Sequence, residues 1–335
     1  MKTHKALVGA TLAATVLLAL APATSSATTA KAVCSRARTS SLPTPNLTLG
    51  VAGAYRYKGR DYSAAGERLR FYGRINGASL GGDPLAVKVF VGGRQVRSST
   101  VTSTSQGCSS AVFSYRTNIW KSGKITWKVE HAASGLADAF SKSAGGPTVY
   151  RLASSFGSRG TGVSILLAML RGKGYYAPHG STYGAGTGKA VLAFRKVNRM
   201  SRIETPSQRI YHLLQIGQGG IHARYPNLGE HLEADLSKQV LTFYNGTKAL
   251  EIHPISSGKP STPTVLGKYR FYMREPGTNG HGMVYSTYFH NGYAVHGYVE
   301  LPTYAASHGC LRTWVPSAVH IYNRIKLGEW IAVFW

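Results

Sequence analysis

Short segments in which apolar and polar residues alternate recur along most of the chain, and this pattern restricts the fold more than any other feature. Alternation with a period of two places every second side chain on one face of a strand, and turn signals such as Gly92-Gly93 separate the segments. In the first half they span 47–57, 68–75, 85–91, 111–115 and 125–129. Their regular spacing predicts an immunoglobulin-like β-sandwich over residues 46–150.

Between residues 157 and 215 the apolar residues follow a helical period instead. Positions i, i+3, i+4 and i+7 of a first set are Val163, Leu166, Leu167 and Leu170. A second set surrounds Val191, and a third, around Ile210, follows Thr205-Pro206, which we expect to be an N-cap and a first helical residue. These sets predict a small three-helix domain over 157–215, and the glycine-rich stretch behind it predicts a linker.

Residues 230–335 return to the strand pattern. The stretch 240–244 runs into Asn245-Gly246, the strongest short hairpin signal, and further strand-like runs follow at 268–273 and 330–334. Residues 316–325 favour the one helix of this region. The sequence therefore predicts a multidomain fold in which a β-sandwich and a small three-helix domain precede a mostly β C-terminal domain.

The first 30 residues have the features of a secretory signal peptide. Lys2 and Lys5 precede an uncharged apolar stretch from Ala6 to Pro22, and small residues follow. We expect a flexible leader at 31–45 and, because no other stretch has about 20 apolar residues, no transmembrane span. The mature protein is therefore predicted to be secreted.

The chain has three cysteines, and an oxidising compartment outside the cell favours one disulfide. We expect Cys34 to pair with Cys108, which leaves Cys310 over. The count alone does not distinguish a reactive thiol from an inert one or from an intermolecular pair. The local sequence is more specific, because Cys310 ends the run Ser307-His308-Gly309-Cys310 and follows His296 in the chain.

Cysteine attacks a carbonyl as the thiolate, and a free thiol with a pKa of about 8.5 is mostly protonated at neutral pH. A neighbouring imidazole can accept the proton and later return it to a leaving amine. His308 is only two residues from Cys310, which limits how the side chains meet, whereas His296 arrives from another strand, so geometry favours His296 as the base. We expect the amides around Gly309 and Cys310 to form an oxyanion hole.

The C-terminal region resembles the catalytic domain of L,D-transpeptidases, the YkuD-type enzymes that cross-link peptidoglycan. Four ordered motifs carry the resemblance: Leu232 to Leu241, Ser257 to Thr264 (SGKPSTPT), Ala294-Val295-His296-Gly297, and Ser307 to Arg312 (SHGCLR). The helical stretch resembles, in degenerate form, the peptidoglycan-binding domain that often accompanies wall enzymes.

The resemblance implies roles for five residues. Cys310 is the nucleophile, His296 accepts and donates the proton, and His308, with Ser307 and Gly309, supports the loop and the oxyanion region. It also implies a ping-pong reaction without a cofactor. The cysteine attacks the amide after the third residue of a tetrapeptide stem and passes the acyl group to an amine on another stem.

Further features of the site follow from the same resemblance. A tyrosine lines the family's pocket, and both Tyr285 and Tyr288 fit that position. Arg312 stands where many members have asparagine, and it either holds a substrate carboxylate or braces the loop. The short interval before Ser307 predicts a small lid between Tyr298 and Ala306.

Other functions fit parts of the sequence. With water as the acceptor the same site would be an L,D-carboxypeptidase, and with weak or no catalysis the chain would be a wall-binding protein. A metal site formed by His290, His296, His308 and Cys310 is chemically conceivable, but its spacing matches no usual zinc pattern, so we expect no metal.

The formal charge of +26 lies almost wholly before residue 230, because residues 230–335 carry nine Lys and Arg against seven Asp and Glu. Nucleic acid is a common partner of such a basic chain, but predicted export argues against it. A Gram-positive wall offers anionic polymers instead. We therefore expect the N-terminal modules to bind these polymers, with a generally solvated basic surface as the alternative.

Overall fold

The computed structural model describes residues 45–78, 80–153 and 155–335. The predicted signal peptide, nearly all of the predicted leader and Cys34 lie outside the described residues, so the expectations for them, including the pairing with Cys108, stay predictions. No helix of the described part is long and apolar enough to cross a membrane.

Two sheets enclose one apolar core between residues 46 and 150. The strands are β1 (Asn46–Ala52), β2 (Tyr55–Tyr57), β3 (Arg60–Ala64), β4 (Arg68–Asn76), β5 (Pro84–Val91), β6 (Arg94–Thr102), β7 (Thr104–Ser105), β8 (Ser110–Asn118), β9 (Gly123–His131) and β10 (Phe140–Tyr150). One sheet has the order β1-β4-β8-β7 and the other β2-β3-β10-β9-β5-β6. Phe71 of β4 meets Trp127 of β9 edge to face, with 5.3 Å between ring centroids, so the two sheets share a core.

Strands β3, β6, β7 and β10 were not predicted from the sequence. Strand β10 contains Gly145-Gly146-Pro147, which is a turn signal in isolation. In the structure the register with β9 shifts between Gly145 and Thr148, so a bulge accommodates these residues and the strand continues to Tyr150. The predicted β-rich N-terminal region is confirmed, whereas its immunoglobulin-like class and its boundaries stay predictions.

Three helices follow, close to the predicted positions. They are α1 (Thr161–Gly172), α2 (Ala185–Val197) and α3 (Gln208–Gln215). The predicted N-cap of the third helix is wrong, because α3 begins at Gln208 behind Ser207, and the carbonyl of Thr205 instead accepts a hydrogen bond from Arg195 Nε at 2.9 Å. The helical core also includes Tyr150 of β10 and Ile252 of the C-terminal region, so the helices are packed tightly on both neighbours.

The C-terminal region forms two further sheets and one helix. Its elements are β11 (Glu230–Asp235), β12 (Val240–Asn245), β13 (Lys248–Pro254), β14 (Gly267–Arg270), β15 (Met273–Thr278), β16 (Val284–His290), β17 (Tyr293–Tyr298), β18 (Leu311–Trp314), α4 (Val315–Arg324) and β19 (Trp330–Phe334). The sheets have the orders β13-β12-β11-β19-β14 and β15-β16-β17-β18. Strands β12 and β13 are antiparallel around Asn245-Gly246, which confirms the predicted hairpin, and the mostly β fold is confirmed as well.

Candidate active site

The parallel pair β17 and β18 brings the two predicted catalytic residues together. His296 lies opposite Arg312 in the register, and Val295 lies opposite Leu311, so Cys310, just before β18, is level with Ala294. Because side chains alternate along a strand, Cys310 and Arg312 point to one face of the sheet, the same face as His296. Fourteen residues of separation in sequence thus become adjacent positions in the sheet.

These side chains open into a cavity of about 310 Å³. It is lined by His281, Met283, His296, Tyr298, Ser307, His308, Cys310 and Arg312. Arg312 brings a permanent positive charge to this lining, and none of the lining residues is acidic. The cavity is therefore suited to bind an anionic group close to the thiol.

His296 is held in the tautomer that a general base needs. Its ring is buried at 3% exposure, and Nδ1 donates to the carbonyl of Gly297 at 2.8 Å. The proton thus sits on Nδ1, which leaves Nε2 unprotonated. Burial lowers the pKa of His296 from its ordinary value, and Arg312 lowers it further, while the bond to Gly297 raises it. The imidazole is therefore neutral at pH 7 and can accept a proton.

The thiol of Cys310 is protonated in the resting site. Burial raises its pKa above the ordinary value, against the opposing effects of a backbone hydrogen bond from Ala294 and the positive charge of Arg312. Neutral imidazole and neutral thiol therefore coexist before substrate arrives. A thiolate would form as the thiol transfers its proton, and Ala294 and Arg312 would then stabilise it.

The loop from Ser307 to Cys310, which we call the nucleophile loop after the predicted role of Cys310, is closed by the hydroxyl of Ser307. This hydroxyl donates to the carbonyl of Cys310 and accepts from the amide of Gly309 at 3.0 Å. The Gly309 N–H is therefore already bonded, and the oxyanion hole expected from the amides around Gly309 and Cys310 stays a prediction. Glycine is nevertheless required there, since φ is +126° and an added Cβ would lie 2.7 Å from the ring of Tyr293.

The second family motif forms a cradle under this loop, a role that sequence reasoning did not assign. The buried hydroxyl of Thr264 accepts from the amide of Gly258 at 2.8 Å and donates to the carbonyl of Gly309 at 2.7 Å. The carbonyl of Ser257 accepts from the amides of Ala306 and Ser307, both at 2.9 Å. The loop is thus fixed by backbone and hydroxyl contacts with residues that do not line the cavity.

Helix α2 supports the same cradle through Lys196. The side chain is 2% exposed, and Nζ donates to the carbonyls of Ile255 at 2.7 Å and Gln239 at 3.3 Å. The amide side chain of Gln239 in turn holds Ser257. Its Nε2 donates to the hydroxyl of Ser257 at 2.6 Å, and its Oε1 accepts from the amide of Ser257 at 2.9 Å. A hydrogen-bonded path therefore runs from α2 to the segment that binds Ser307.

The predicted lid at 298–306 is also tied to the rest of the chain. Arg202, in the loop after α2, donates from Nη1 to the carbonyl of Thr303 at 3.2 Å and from Nη2 to that of Ser237 at 3.0 Å. The hydroxyl of Ser256 donates to the carbonyl of Tyr304 at 2.6 Å. The side chain of Val299 is 83% exposed, so the lid presents its outer end to solvent.

Tyr298, rather than the two tyrosines predicted from the sequence, lines the cavity. The guanidinium of Arg312 lies 4.0 Å from the centroid of the Tyr298 ring. Tyr285 packs edge to face on Tyr322 at 5.2 Å, and the hydroxyl of Tyr288 donates to Glu275 at 2.6 Å. Tyr285 lies within a register shift of β16, whereas Tyr288 is paired with Ala294 and its hydroxyl is held by Glu275.

The remaining histidines of the prediction lie at the margin of the site. His308 is exposed, and its Nε2 is 3.4 Å from Lys259 Nζ. His290 does not line the cavity, and its ring packs on Tyr269 with 4.6 Å between centroids. A metal site formed by His290, His296, His308 and Cys310 was conceivable from the sequence. The structure does not bring these four side chains together.

The family model of the YkuD L,D-transpeptidase catalytic domain matches residues 229–333. The crystal structure of the L,D-transpeptidase (residues 123–326) from Xylanimonas cellulosilytica DSM 15894 is similar with a TM-score of 0.51 and 27% sequence identity, over 55% of this chain and 98% of that chain. No curated protein matches the sequence.

Two further solved structures resemble the chain less closely. L,D-transpeptidase (Yku) from Stackebrandtia nassauensis has 17% identity and a TM-score of 0.34, over 55% of this chain and 95% of that one. The C442S mutant of Enterococcus faecium L,D-transpeptidase has 26% identity and a TM-score of 0.28, over 32% of this chain and 50% of that one. The chain thus spans half the length of the enterococcal protein.

Proposed function

Because residues 229–333 form an L,D-transpeptidase catalytic domain, we propose that the protein is an exported enzyme that forms or remodels peptidoglycan cross-links through a Cys310 acyl-enzyme. The observation that carries the proposal is that Cys310 and His296 line one cavity of that domain, with the imidazole in the basic tautomer. The predicted signal peptide supports action outside the cell.

In the first half-reaction the thiol of Cys310 attacks the carbonyl carbon of the third stem residue. Nε2 of His296 takes the thiol proton as the carbon–sulfur bond forms, and the carbonyl oxygen becomes an oxyanion. When the intermediate collapses, the carbon–nitrogen bond breaks and His296 gives its proton to the departing amine. The products are a thioester on Cys310 and a free terminal D-amino acid.

The second half-reaction restores the enzyme. An amine from another stem attacks the thioester carbon, and His296 accepts a proton from that amine. The carbon–sulfur bond then breaks, and the proton returns from His296 to the cysteine sulfur. The new amide bond is the cross-link. Water in place of the amine would release the stem as a carboxylate, so the same site accounts for the alternative carboxypeptidase activity.

Arg312 is suited to hold a carboxylate of the stem. Among the described residues no carboxylate forms an ion pair with its guanidinium, which lies over Tyr298 and faces the cavity. A stem peptide carries a terminal carboxylate next to the bond that Cys310 attacks. A guanidinium binds such a group through two parallel hydrogen bonds. The unpaired charge favours substrate binding over a purely bracing role.

Mass spectrometry of the purified chain with a defined tetrapeptide tests the assignment. We expect a thioester adduct on Cys310 and release of the D-amino acid, both absent from C310A. We expect H296N to lower the acylation rate by at least about 100-fold, within the range that general acid–base catalysis supplies, and H308N to lower it far less. If the acylation rate falls as much in H308N as in H296N, His296 is not the base. Persistence of the adduct in C310A would refute the nucleophile.

The N-terminal sandwich supports a second part of the proposal, the binding of anionic wall polymers. Arg68, Arg70 and Arg74 are exposed on β4, and Arg116 of β8 lies directly opposite Arg70. Like charges directly opposite each other destabilise a sheet, and none of the four has an ion-pair partner among the described residues. A phosphate-bearing polymer would relieve this repulsion and release counterions.

Sedimentation with purified walls measures this binding. We expect the full chain to bind at low salt and to be released as salt rises, and we expect R70S/R116S to bind more weakly. The control K248S/K326S removes the same charge from the C-terminal region and should bind like the wild type. Equal binding of the wild type at low and high salt would rule out an electrostatic attachment.

A further inference from the structure

A cluster of metal-binding side chains lies away from the thiol, between β13 and α4. Nε2 of His253 is 3.2 Å and Nε2 of His320 is 2.8 Å from the same carboxylate oxygen, Oε2 of Glu251. All three ligand atoms lie within 4.8 Å of one another. Two imidazoles and one carboxylate are the protein ligands of many zinc sites that keep an open position.

The spacing of the three atoms is close to that of a metal site. The three ligand atoms form a triangle with sides of 2.8 Å, 3.2 Å and at most 4.8 Å. The point equidistant from the three atoms therefore lies no more than about 2.5 Å from each. In zinc sites the metal lies about 2.0–2.2 Å from its nitrogen and oxygen ligands. Closing the difference needs movements of a few tenths of an ångström. His320 is 39% exposed, so its side chain has room to move.

Neighbouring groups fix the orientation of the three ligands. Arg324 donates from Nη1 to the other carboxylate oxygen of Glu251, Oε1, at 2.8 Å, which leaves Oε2 directed at the histidines. The ring of Tyr176 packs against both imidazoles, with 4.6 Å between centroids in each case. Such outer contacts orient the ligands of a metal and strengthen its binding.

The cluster faces a second cavity, of about 590 Å³, that lies between the helices and the C-terminal sheets. Glu251 and His253 line it together with Tyr176 and Trp314, and it shares no lining residue with the cavity at Cys310. A metal held by the three side chains would therefore have space for a fourth ligand, either water or a donor atom of a bound molecule.

We propose that Glu251, His253 and His320 bind one Zn²⁺ ion per chain, with the fourth position open to this cavity. All three ligands come from β13 and α4, so the ion would join these elements directly beneath Tyr176 of the helical region. The site is independent of the proposed acyl transfer, because it uses neither Cys310 nor His296. A cluster of hydrogen bonds alone is the competing interpretation.

Titration calorimetry with Zn²⁺ on the full chain distinguishes the two interpretations. The C310A variant serves as the starting protein, because a thiol beside His296 and His308 could itself bind zinc. We expect one ion per chain and a rise in the midpoint of thermal unfolding with zinc. H320A should bind at least tenfold more weakly, whereas H179A, which removes an exposed histidine of the same cavity, should bind like C310A.

Three results would overturn the proposal. They are no zinc binding by C310A, an unchanged zinc affinity in H320A, or a loss of zinc affinity in H179A as large as that in H320A. Should H320A fail to fold by circular dichroism, E251Q replaces it, since glutamine keeps the shape of the side chain and removes the charge. Unchanged zinc affinity in E251Q would refute the site in the same way.

Discussion

Replacing Lys196 by methionine should change both how stability depends on pH and how fast the enzyme is acylated. Burial lowers the pKa of Lys196 to about 7, with smaller effects from Arg202 and Lys189. An unfolded lysine has a pKa of about 10.4. Between these values the unfolded chain binds more protons than the folded one, so the free energy of unfolding rises with pH.

The magnitude follows from the two pKa values. The penalty for burying the charged amine is fully present below pH 7 and disappears as the pH rises towards 10.4, and each pH unit in between is worth about 1.4 kcal/mol. Since Lys196 is half deprotonated at pH 7, the wild type should gain about 2 kcal/mol relative to K196M between pH 7 and pH 9. Urea unfolding followed by tryptophan fluorescence at the two pH values measures this difference.

The same substitution removes the donor for two carbonyls next to the cradle. Ile255 and Gln239 lose their bonds to Nζ, and Gln239 positions Ser257 under the nucleophile loop. Since misplacement of about 1 Å can cost about 100-fold in rate, we expect acylation of Cys310 to slow by about 10- to 100-fold.

K189M provides the matched control for this experiment. Lys189 lies on the same helix but pairs with Glu204, is 18% exposed and has only a minor effect on the pKa of Lys196. We therefore expect a much smaller change of pH dependence than in K196M and no slowing of acylation. If the free energy of unfolding changes equally with pH in wild type and K196M from pH 7 to 9, Lys196 carries no penalty for a buried charge. If K196M is acylated at the wild-type rate, α2 does not position the loop.

Three further substitutions test the site itself. G309A should slow acylation by at least about 100-fold through strain at φ +126° and contact with Tyr293, whereas G280A, with open space around it, should be silent. R312M should raise the pKa of the Cys310 thiol, because Arg312 lowers that pKa. Iodoacetamide should therefore alkylate the thiol more slowly at pH 8. Alkylation of R312M at the wild-type rate would contradict the role of the guanidinium. T264V removes two buried hydrogen bonds and should lower the free energy of unfolding by about 2 kcal/mol; no loss in chemical denaturation would count against the cradle.

The pH dependence of acylation itself reports on His296. Because burial places its pKa below the ordinary value, the imidazole should stay neutral at pH values where a typical histidine is protonated. The acid limb of the rate profile should therefore lie below pH 6.5 and should be lost in H296N.

Local chemistry predicts the reacting groups. The run from Ser307 to Arg312 and the position of His296 indicate a cysteine nucleophile and a histidine base, because motif residues keep their chemical identity whatever surrounds them, and these two roles stay predictions. The period of the apolar residues predicted α1, α2 and most strands for the same reason, since it reflects side-chain direction along one element. The boundaries of α3 and the course of β10 depended on contacts with other elements and were not predicted.

Contacts between distant segments were decided only by the tertiary structure. Glu233, on the polar side of the alternation in β11, is buried at 3% exposure because the linker amides of Arg224 and Tyr225 bond to it. Tyr298 lines the cavity instead of Tyr285 or Tyr288, whose side chains contact Tyr322 and Glu275.

The sequence by itself thus determined a mostly β chain and identified Cys310 and His296 as the predicted nucleophile and base. Only the folded chain decided that the Gly309 amide bonds to Ser307 and that Lys196 supports the cradle from another region. The physical reason is that a pattern along one segment specifies which face is apolar, whereas hydrogen bonds between segments far apart depend on register and packing that no single segment contains.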